Sequence, residues 1–99
     1  MSKVYNLTIV TDDLFTANLK TILRRISYDG KTRASNFNHG LFTAIKNLNV
    51  SPYKNRKSFY YDKDERVRDL VFKGYTIPYL VDAENGEIVI LEIFKWVNR

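Results

Sequence analysis

The sequence contains no cysteine and a single histidine, His39. Without cysteine the chain cannot form disulfides, use a thiolate nucleophile or bind zinc through sulfur. One histidine is too few for the histidine clusters that bind zinc in many enzymes. We therefore predict neither a metal nor a cofactor, and we expect His39 to be a surface residue.

Long hydrophobic runs are also absent. No run approaches the roughly 18–20 apolar residues that a membrane-spanning helix needs, and residues 1–4 do not resemble the start of a signal peptide. The sequence has no internal repeat, low-complexity tract or linker, and 99 residues can be organised by one hydrophobic core. These absences predict a cytoplasmic protein with a single domain over residues 1–99.

Basic charge is plentiful, and it is unevenly distributed along the chain. The net charge is +5, yet residues 20–57 contain nine basic residues and one acidic residue, Asp29. Residues 62–92 reverse the balance, with four basic and eight acidic residues. A basic surface attracts nucleic acid or an acidic protein, although solvated helix faces are also rich in lysine. Charge alone leaves these alternatives open.

The first half of the chain has one strand pattern followed by two helical patterns. Residues 4–10 alternate as in a half-buried strand, and residues 11–13 offer helix-capping side chains. One helix is predicted to end near Tyr28 and a second to cover residues 33–48, which makes an antiparallel hairpin. The apolar positions with helical spacing are Phe15, Leu19, Ile22, Leu23 and Ile26, then Ala34, Phe37, Leu41, Ile45 and Leu48.

Strand-forming residues and turn signals dominate after Pro52. Strands are predicted over residues 58–61, 67–72, 75–81 and 87–94, with a hairpin turn at residues 85–86. Pro78 cannot donate to a β-ladder, so it belongs on an edge strand or at a bulge. The predicted class is α+β in the order β-α-α-β-β-β, with an N-terminal strand and an antiparallel helical hairpin packed on a mainly antiparallel sheet.

Three segments of the chain are similar to a known family. They are residues 51–58 (SPYKNRKS), residues 66–79 (RVRDLVFKGYTIPY) with a Gly-Tyr-x-Ile-x-Tyr pattern, and residues 88–96 (IVILEIFKW). With the preceding helical hairpin, their order resembles that of the RelE/ParE superfamily toxins of type II toxin–antitoxin systems. The resemblance covers the whole chain, and it implies a RelE/ParE-like fold and the toxin of a plasmid stabilisation, or addiction, module.

The resemblance implies two different targets. RelE-like toxins cleave messenger RNA on the ribosome without a metal, and the candidate catalytic residues for that activity are Arg68, Lys54 and Lys95. ParE-like toxins inhibit growth by binding DNA gyrase, with no chemistry of their own. We favour the ParE-like branch because Thr76 stands where RelE-like toxins have arginine, and Trp96 comes where they have a C-terminal tyrosine. A non-toxic basic binding module that keeps the fold is a third interpretation.

Two candidate binding surfaces follow. Contact with the target, or with phosphate groups, is predicted for Lys54, Arg56, Lys57, Arg66, Arg68 and Lys73. The resemblance also implies a complex with an acidic cognate antitoxin, and its predicted contacts are Arg24, Arg25, Tyr28, Phe42 and Trp96. Simpler alternatives remain for both surfaces, because the cations can be solvated or ion-paired and Tyr28 and Phe42 can pack inside the domain. For Tyr75 and Tyr79 we expect packing within the hairpin rather than stacking on a base.

Overall fold

A computed structural model of the chain describes residues 6–95. Its elements are β1 (Thr8–Thr11), α1 (Asp13–Ser27), α2 (Lys31–Lys46), a 3-10 turn (Asn47–Asn49), β2 (Val67–Phe72), β3 (Tyr75–Asp82), β4 (Glu87–Ile90) and β5 (Phe94–Lys95). Among these residues no helix is long and apolar enough to cross a membrane. The predicted α+β class and the order of its main elements are confirmed.

The strands form one sheet in the order β1-β4-β3-β2, and β5 pairs with β3 beyond the end of β4. The pairs that β3 makes with β2, β4 and β5 are antiparallel. The β1–β4 pair is parallel, with Ile9 opposite Ile88. A parallel pair needs a long crossover connection, and the helical hairpin and the β2–β3 hairpin supply it. The sheet is therefore mainly antiparallel, as predicted.

The two helices begin and end close to the predicted positions. Asp12 caps α1, because its carboxylate accepts a hydrogen bond from the Leu14 N–H at 3.0 Å. The helix α2 begins at Lys31, two residues earlier than predicted, and the 3-10 turn continues the chain after Lys46. The side chains that the helices bury are the predicted ones, Phe15, Leu19 and Ile22 in α1 and Phe37, Leu41 and Ile45 in α2.

The core lies between the helical hairpin and one face of the sheet. Alternate side chains of β3 point to the helices and are buried there, ending with Val81. Phe37 of α2 contacts the rings of Phe72 and Tyr75 edge-on, each at 5.4 Å between centroids. Each fully buried aliphatic side chain contributes roughly 1.5–3 kcal/mol. This packing keeps β2 and β3 in register under α2.

Residues 58–61 do not form a strand, so that prediction was wrong. They lie in an irregular loop that covers the outer face of the sheet, the face turned away from the helices. The ring of Tyr60 contacts the ring of Phe94 at 4.6 Å, and the Tyr61 hydroxyl donates to Glu92. Before this loop, Lys57 forms an isolated bridge with Arg68. The aromatic residues that suggested a strand instead cover the outer face.

The predicted strand over residues 87–94 is interrupted opposite Pro78. The strand β4 ends at Ile90, the Leu91 N–H donates to the Pro78 carbonyl at 2.9 Å, and pairing with β3 resumes at Phe94. Because β3 has neighbours on both sides, Pro78 is not on an edge strand. The interruption lies beside the one residue of β3 that has no N–H to donate.

Candidate functional site

The basic segment after α2 runs along the free edge of β2. The Ser58 N–H donates to the Val67 carbonyl at 3.0 Å, and the Asp69 N–H donates to the Arg56 carbonyl at 3.1 Å. We call residues 53–60 the 53–60 segment. These two bonds pair its middle with an edge strand, so the segment has a defined backbone position although it contains no regular strand.

Arg68 stabilises the first half of the 53–60 segment. Its guanidinium Nη1 donates to the carbonyls of Tyr53 at 3.0 Å and Asn55 at 2.9 Å, and the guanidinium carbon lies 5.5 Å from the centre of the Tyr53 ring. The guanidinium is planar and permanently charged, so it can donate strong hydrogen bonds to two carbonyls of one loop. Arg68 is half-buried in this position. Its role in the fold is therefore to organise the loop, and within residues 6–95 it forms no ion pair. The predicted contact of Arg68 with a target or with phosphate stays a prediction.

Tyr79 supports the same half of the segment from within the core. Its hydroxyl donates to the Pro52 carbonyl at 2.7 Å and accepts from the Asn55 side-chain amide at 3.1 Å. Burial raises the pKa of Tyr79, and the hydrogen bond from Asn55 partly opposes that shift. The expected packing role of Tyr79 is confirmed.

Asp69 stabilises the second half of the segment from the outer face. Its carboxylate is buried, and one oxygen accepts from the Phe59 N–H and from Arg56 Nε, both at 3.4 Å. The Arg56 guanidinium also lies over the Phe59 ring, 4.4 Å from its centre. Adjacent residues of β2, Arg68 and Asp69, thus contact the two halves of the segment from opposite faces of the sheet.

The side chains that this arrangement leaves accessible are cationic and aromatic. Phe59 and Tyr60 are 60% and 55% exposed, and Tyr53 is 42% exposed. Lys54 and Lys57 are also exposed, and Lys57 pairs with Glu65 at 3.1 Å. Both members of that pair are largely in solvent, so the pair is weak. These five residues lie along the β2 edge and border both faces of the sheet, and we call this edge surface the basic–aromatic face.

Arg66 and Lys73, two further predicted target contacts, lie outside this face. The exposed Arg66 forms a two-pronged pair with Asp64, with nitrogen–oxygen distances of 3.1 and 3.0 Å. The hydrogen bonds from Arg66 lower the pKa of Asp64, and the same pair raises the pKa of Arg66. Lys73 lies in the β2–β3 turn, where its ammonium is 5.5 Å from the Phe72 ring centre. For Arg66 the ion-pair interpretation describes the structure.

The three candidate catalytic residues do not all line one cleft. Lys54 lines a cleft between the end of α2 and Leu70, and Lys95 lines another cleft between α1 and β5. Arg68 is bonded to loop carbonyls, as described above. Thr76, the position at which RelE-like toxins have arginine, is 1% exposed. Across residues 6–95 no group of three or more His, Asp or Glu side chains is placed to hold a metal ion.

The predicted antitoxin contacts differ in accessibility. Arg24 and Arg25 are exposed in the last turn of α1, and Tyr28 just beyond it is 82% exposed. Phe42 is half-buried and packs edge-on against Phe15, with ring centres 6.2 Å apart, so much of its ring belongs to the core. Trp96 lies outside the described residues. His39 is exposed, as expected.

A hydrogen bond between Tyr61 and Glu92 connects the end of the loop to the sheet. This bond raises the pKa of Tyr61, burial raises it further, and the pKa increases from 10.0 to about 12. The folded protein thus keeps the phenolic proton to a higher pH than the unfolded chain does. The stabilisation is fully present below about pH 10, and it is lost as the pH rises towards about 12.

Replacement of Tyr61 by phenylalanine isolates this bond. We expect the wild type to be the more stable protein below about pH 10, and we expect its advantage over Tyr61→Phe to shrink between about pH 10 and 12. Urea unfolding of both proteins across this range measures the difference. A gap that stays constant to about pH 12 would show that the Tyr61 proton is not coupled to folding.

Sequence reasoning did not find the contacts through which several residues build the site. Asn55, Tyr79 and Asp69 act through contacts with residues 10–27 positions away, and their residue types carry no periodic signal. The one available hint was an aspartate beside an arginine within a predicted strand, because a carboxylate in a strand that becomes buried needs a partner.

Comparisons with known proteins agree with this fold. Residues 9–95 match the family described as the ParE toxin of the type II toxin-antitoxin system, parDE. Comparison with curated protein sequences finds no match. The chain is similar in structure to a chain of the chromosomal ParDE toxin–antitoxin system from P. aeruginosa, with TM-score 0.77 and 20% identity over 93% of this chain and 98% of that one.

A second similar structure is a chain of the RelBE2 toxin–antitoxin complex from Mycobacterium tuberculosis. Its TM-score is 0.63 at 15% identity, over 99% of this chain and 100% of that one. At such identities the two structures show a shared fold. The sequence match to the ParE family spans most of the chain, and this protein therefore belongs to the ParE toxin family of type II toxin–antitoxin systems.

Proposed function

We propose that this toxin inhibits growth by binding DNA gyrase, and that the basic–aromatic face makes the contact. The observation that carries the proposal is the set of contacts that the candidate catalytic cations make in the fold. Arg68 is bonded to loop carbonyls, and Lys54 and Lys95 line different clefts. RNA cleavage needs a group that removes the 2′-hydroxyl proton close to one that stabilises phosphate charge. The division of Lys54 and Lys95 between two clefts, and the use of Arg68 by loop carbonyls, favour a toxin that acts by binding.

The chemistry of the face suits a protein target. Aromatic rings dominate binding energy at protein interfaces, and surrounding cations favour an acidic partner surface. The backbone beneath the rings is stabilised by Arg68 and Asp69, so little ordering is needed on binding.

An acidic cognate antitoxin is the second proposed partner, encountered in the cytoplasm. Both similar structures come from toxin–antitoxin systems. The end of α1 offers Arg24 and Arg25, and within the described residues neither forms an ion pair. Exposed cations of this kind accelerate the association of an acidic partner, and salt weakens that effect.

Expression without an antitoxin in bacteria tests the proposed target. We expect growth to stop, plasmid DNA to lose negative supercoils, and messenger RNA to remain uncut at the ribosomal A site. Messenger RNA cuts at the A site with normal supercoiling would instead identify an endonuclease. Normal growth with both readouts unchanged would identify a non-toxic binding module.

A further inference from the structure

A cleft of about 250 Å³ lies between α1 and β5. Its apolar lining comes from Ile22, Tyr75 and Ile93, of which Ile22 and Ile93 are buried core residues. Two cations, Arg25 and Lys95, also line it, and both are exposed. The remaining lining residues are Asn18, Thr21 and Phe94. The cleft thus combines an apolar base with positive charge, and its described lining residues include no acidic side chain.

Three cations of the candidate site have an acidic partner, whereas the two cations of the cleft have none within the described residues. Arg56, Lys57 and Arg66 each pair with a carboxylate. Within residues 6–95, neither Arg25 nor Lys95 has an ion-pair partner. Two positive charges at one small cleft, with no counter-charge among residues 6–95, favour the binding of a carboxylate.

The fold explains why these two side chains meet at the same cleft. Lys95 lies opposite Tyr75 in the β3–β5 pair, so both side chains lie on the helix-facing side of the sheet. Arg25 is one helical turn after Thr21 and Ile22 on α1, so these residues share one side of the helix. Arg24, its neighbour in the same last turn, does not line the cleft. The helix dipole favours both arginines equally, so it does not account for the position of Arg25.

We propose that this cleft binds an acidic residue of the antitoxin, flanked by an apolar residue of the same segment. The carboxylate lies between Arg25 and Lys95, and the apolar side chain packs on Ile22 and Tyr75. This proposal rests on the proposed antitoxin partnership and names the contact that supports it. The occupant is an acidic protein segment, because the base of the cleft is apolar and its two cations have no acidic partner among the described residues.

Charge reversal at the cleft tests the proposal with this chain and its purified cognate antitoxin. Arg25→Glu and Lys95→Glu should each weaken the complex by about tenfold or more, because attraction becomes repulsion. Lys46→Glu is the matched control, since Lys46 is equally exposed but lies on α2 away from this cleft. Isothermal titration calorimetry at low salt gives the Kd of each variant, and circular dichroism confirms its fold.

A steric variant separates occupancy from charge alone. Thr21 is exposed and lines the cleft, so Thr21→Trp fills the space from the surface without replacing a core residue and should also weaken binding by about tenfold. If the wild type binds the antitoxin and the three cleft variants bind as tightly, the cleft is not the contact and the partnership stands. If the wild type does not bind this antitoxin, the partnership itself fails and the cleft proposal fails with it.

Discussion

Growth inhibition should be lost when Lys54 and Lys57 are both replaced by glutamate, while the protein remains folded. Both lysines are exposed on the basic–aromatic face, so the change reverses the charge that an acidic target surface meets. Lys57 pairs with Glu65, and their side chains are 60% and 81% exposed, respectively. Loss of this pair therefore changes the free energy of unfolding by less than about 1 kcal/mol. The toxin dose needed to stop growth should rise by about tenfold or more.

The matched control for this variant is Lys31→Glu combined with Lys46→Glu. It makes the same charge change at two exposed positions of α2, one in the first turn and one in the last. Glutamate is favourable at the first position and unfavourable at the second, so the effects on stability oppose each other. This control should still stop growth. A folded Lys54→Glu, Lys57→Glu protein that remains fully toxic would exclude the basic–aromatic face.

Arg68→Ala should destabilise the protein by about 2 kcal/mol and also abolish growth inhibition. The two carbonyls that Arg68 contacts, those of Tyr53 and Asn55, lose a charged donor, and such hydrogen bonds contribute roughly 1.5–3 kcal/mol. The first half of the 53–60 segment then loses its support, and with it the positions of Tyr53 and Lys54. Arg68→Lys should recover part of this loss, because an ammonium cannot match the planar fork at both carbonyls.

Urea unfolding of the Arg68 variants beside Arg66→Ala measures the difference. Arg66 is two residues away and pairs with Asp64 in solvent, so its loss should change the free energy of unfolding by less than about 1 kcal/mol. An Arg68→Ala protein within about 0.5 kcal/mol of the wild type would show that the loop does not depend on this guanidinium.

The helices could be predicted because their signals are local. Apolar residues such as Leu41 and Ile45 recur at helical spacing, and Asp12 is a capping residue directly before α1. The strands β2 and β3 could be predicted equally well, because strand-forming residues lie on both sides of a short turn. The turn contains Gly74, which has a positive φ of 84°.

The loop over the outer face could not be predicted, because it depends on distant contacts. Tyr61 bonds to Glu92, 31 positions away, and Tyr60 packs on Phe94. A run of aromatic residues has the composition of a strand whether it pairs with a neighbour or covers a sheet. The interruption of the sheet opposite Pro78 is a related case. The sequence shows that Pro78 has no N–H to donate, but it does not show that Pro78 lies in a central strand.

For the candidate site, residue type predicted charge but did not predict how each charge is used. Lys54 and Lys57 are exposed cations, as a basic surface segment implies. Arg56 and Arg68 have the same charge, yet one bonds to a buried carboxylate and the other to backbone carbonyls. These partners are brought close only by the pairing of the 53–60 segment with β2.

A supercoiling assay with purified DNA gyrase tests most directly whether this ParE-family toxin acts by binding gyrase. Relaxed plasmid, gyrase and ATP are incubated with increasing toxin, and a parallel sample receives the Lys54→Glu, Lys57→Glu variant. We expect the wild type to inhibit supercoiling in a dose-dependent way and the variant to leave it unchanged. Complete supercoiling at a large excess of toxin, with ribosome-dependent cleavage of messenger RNA by the same preparation, would contradict the account.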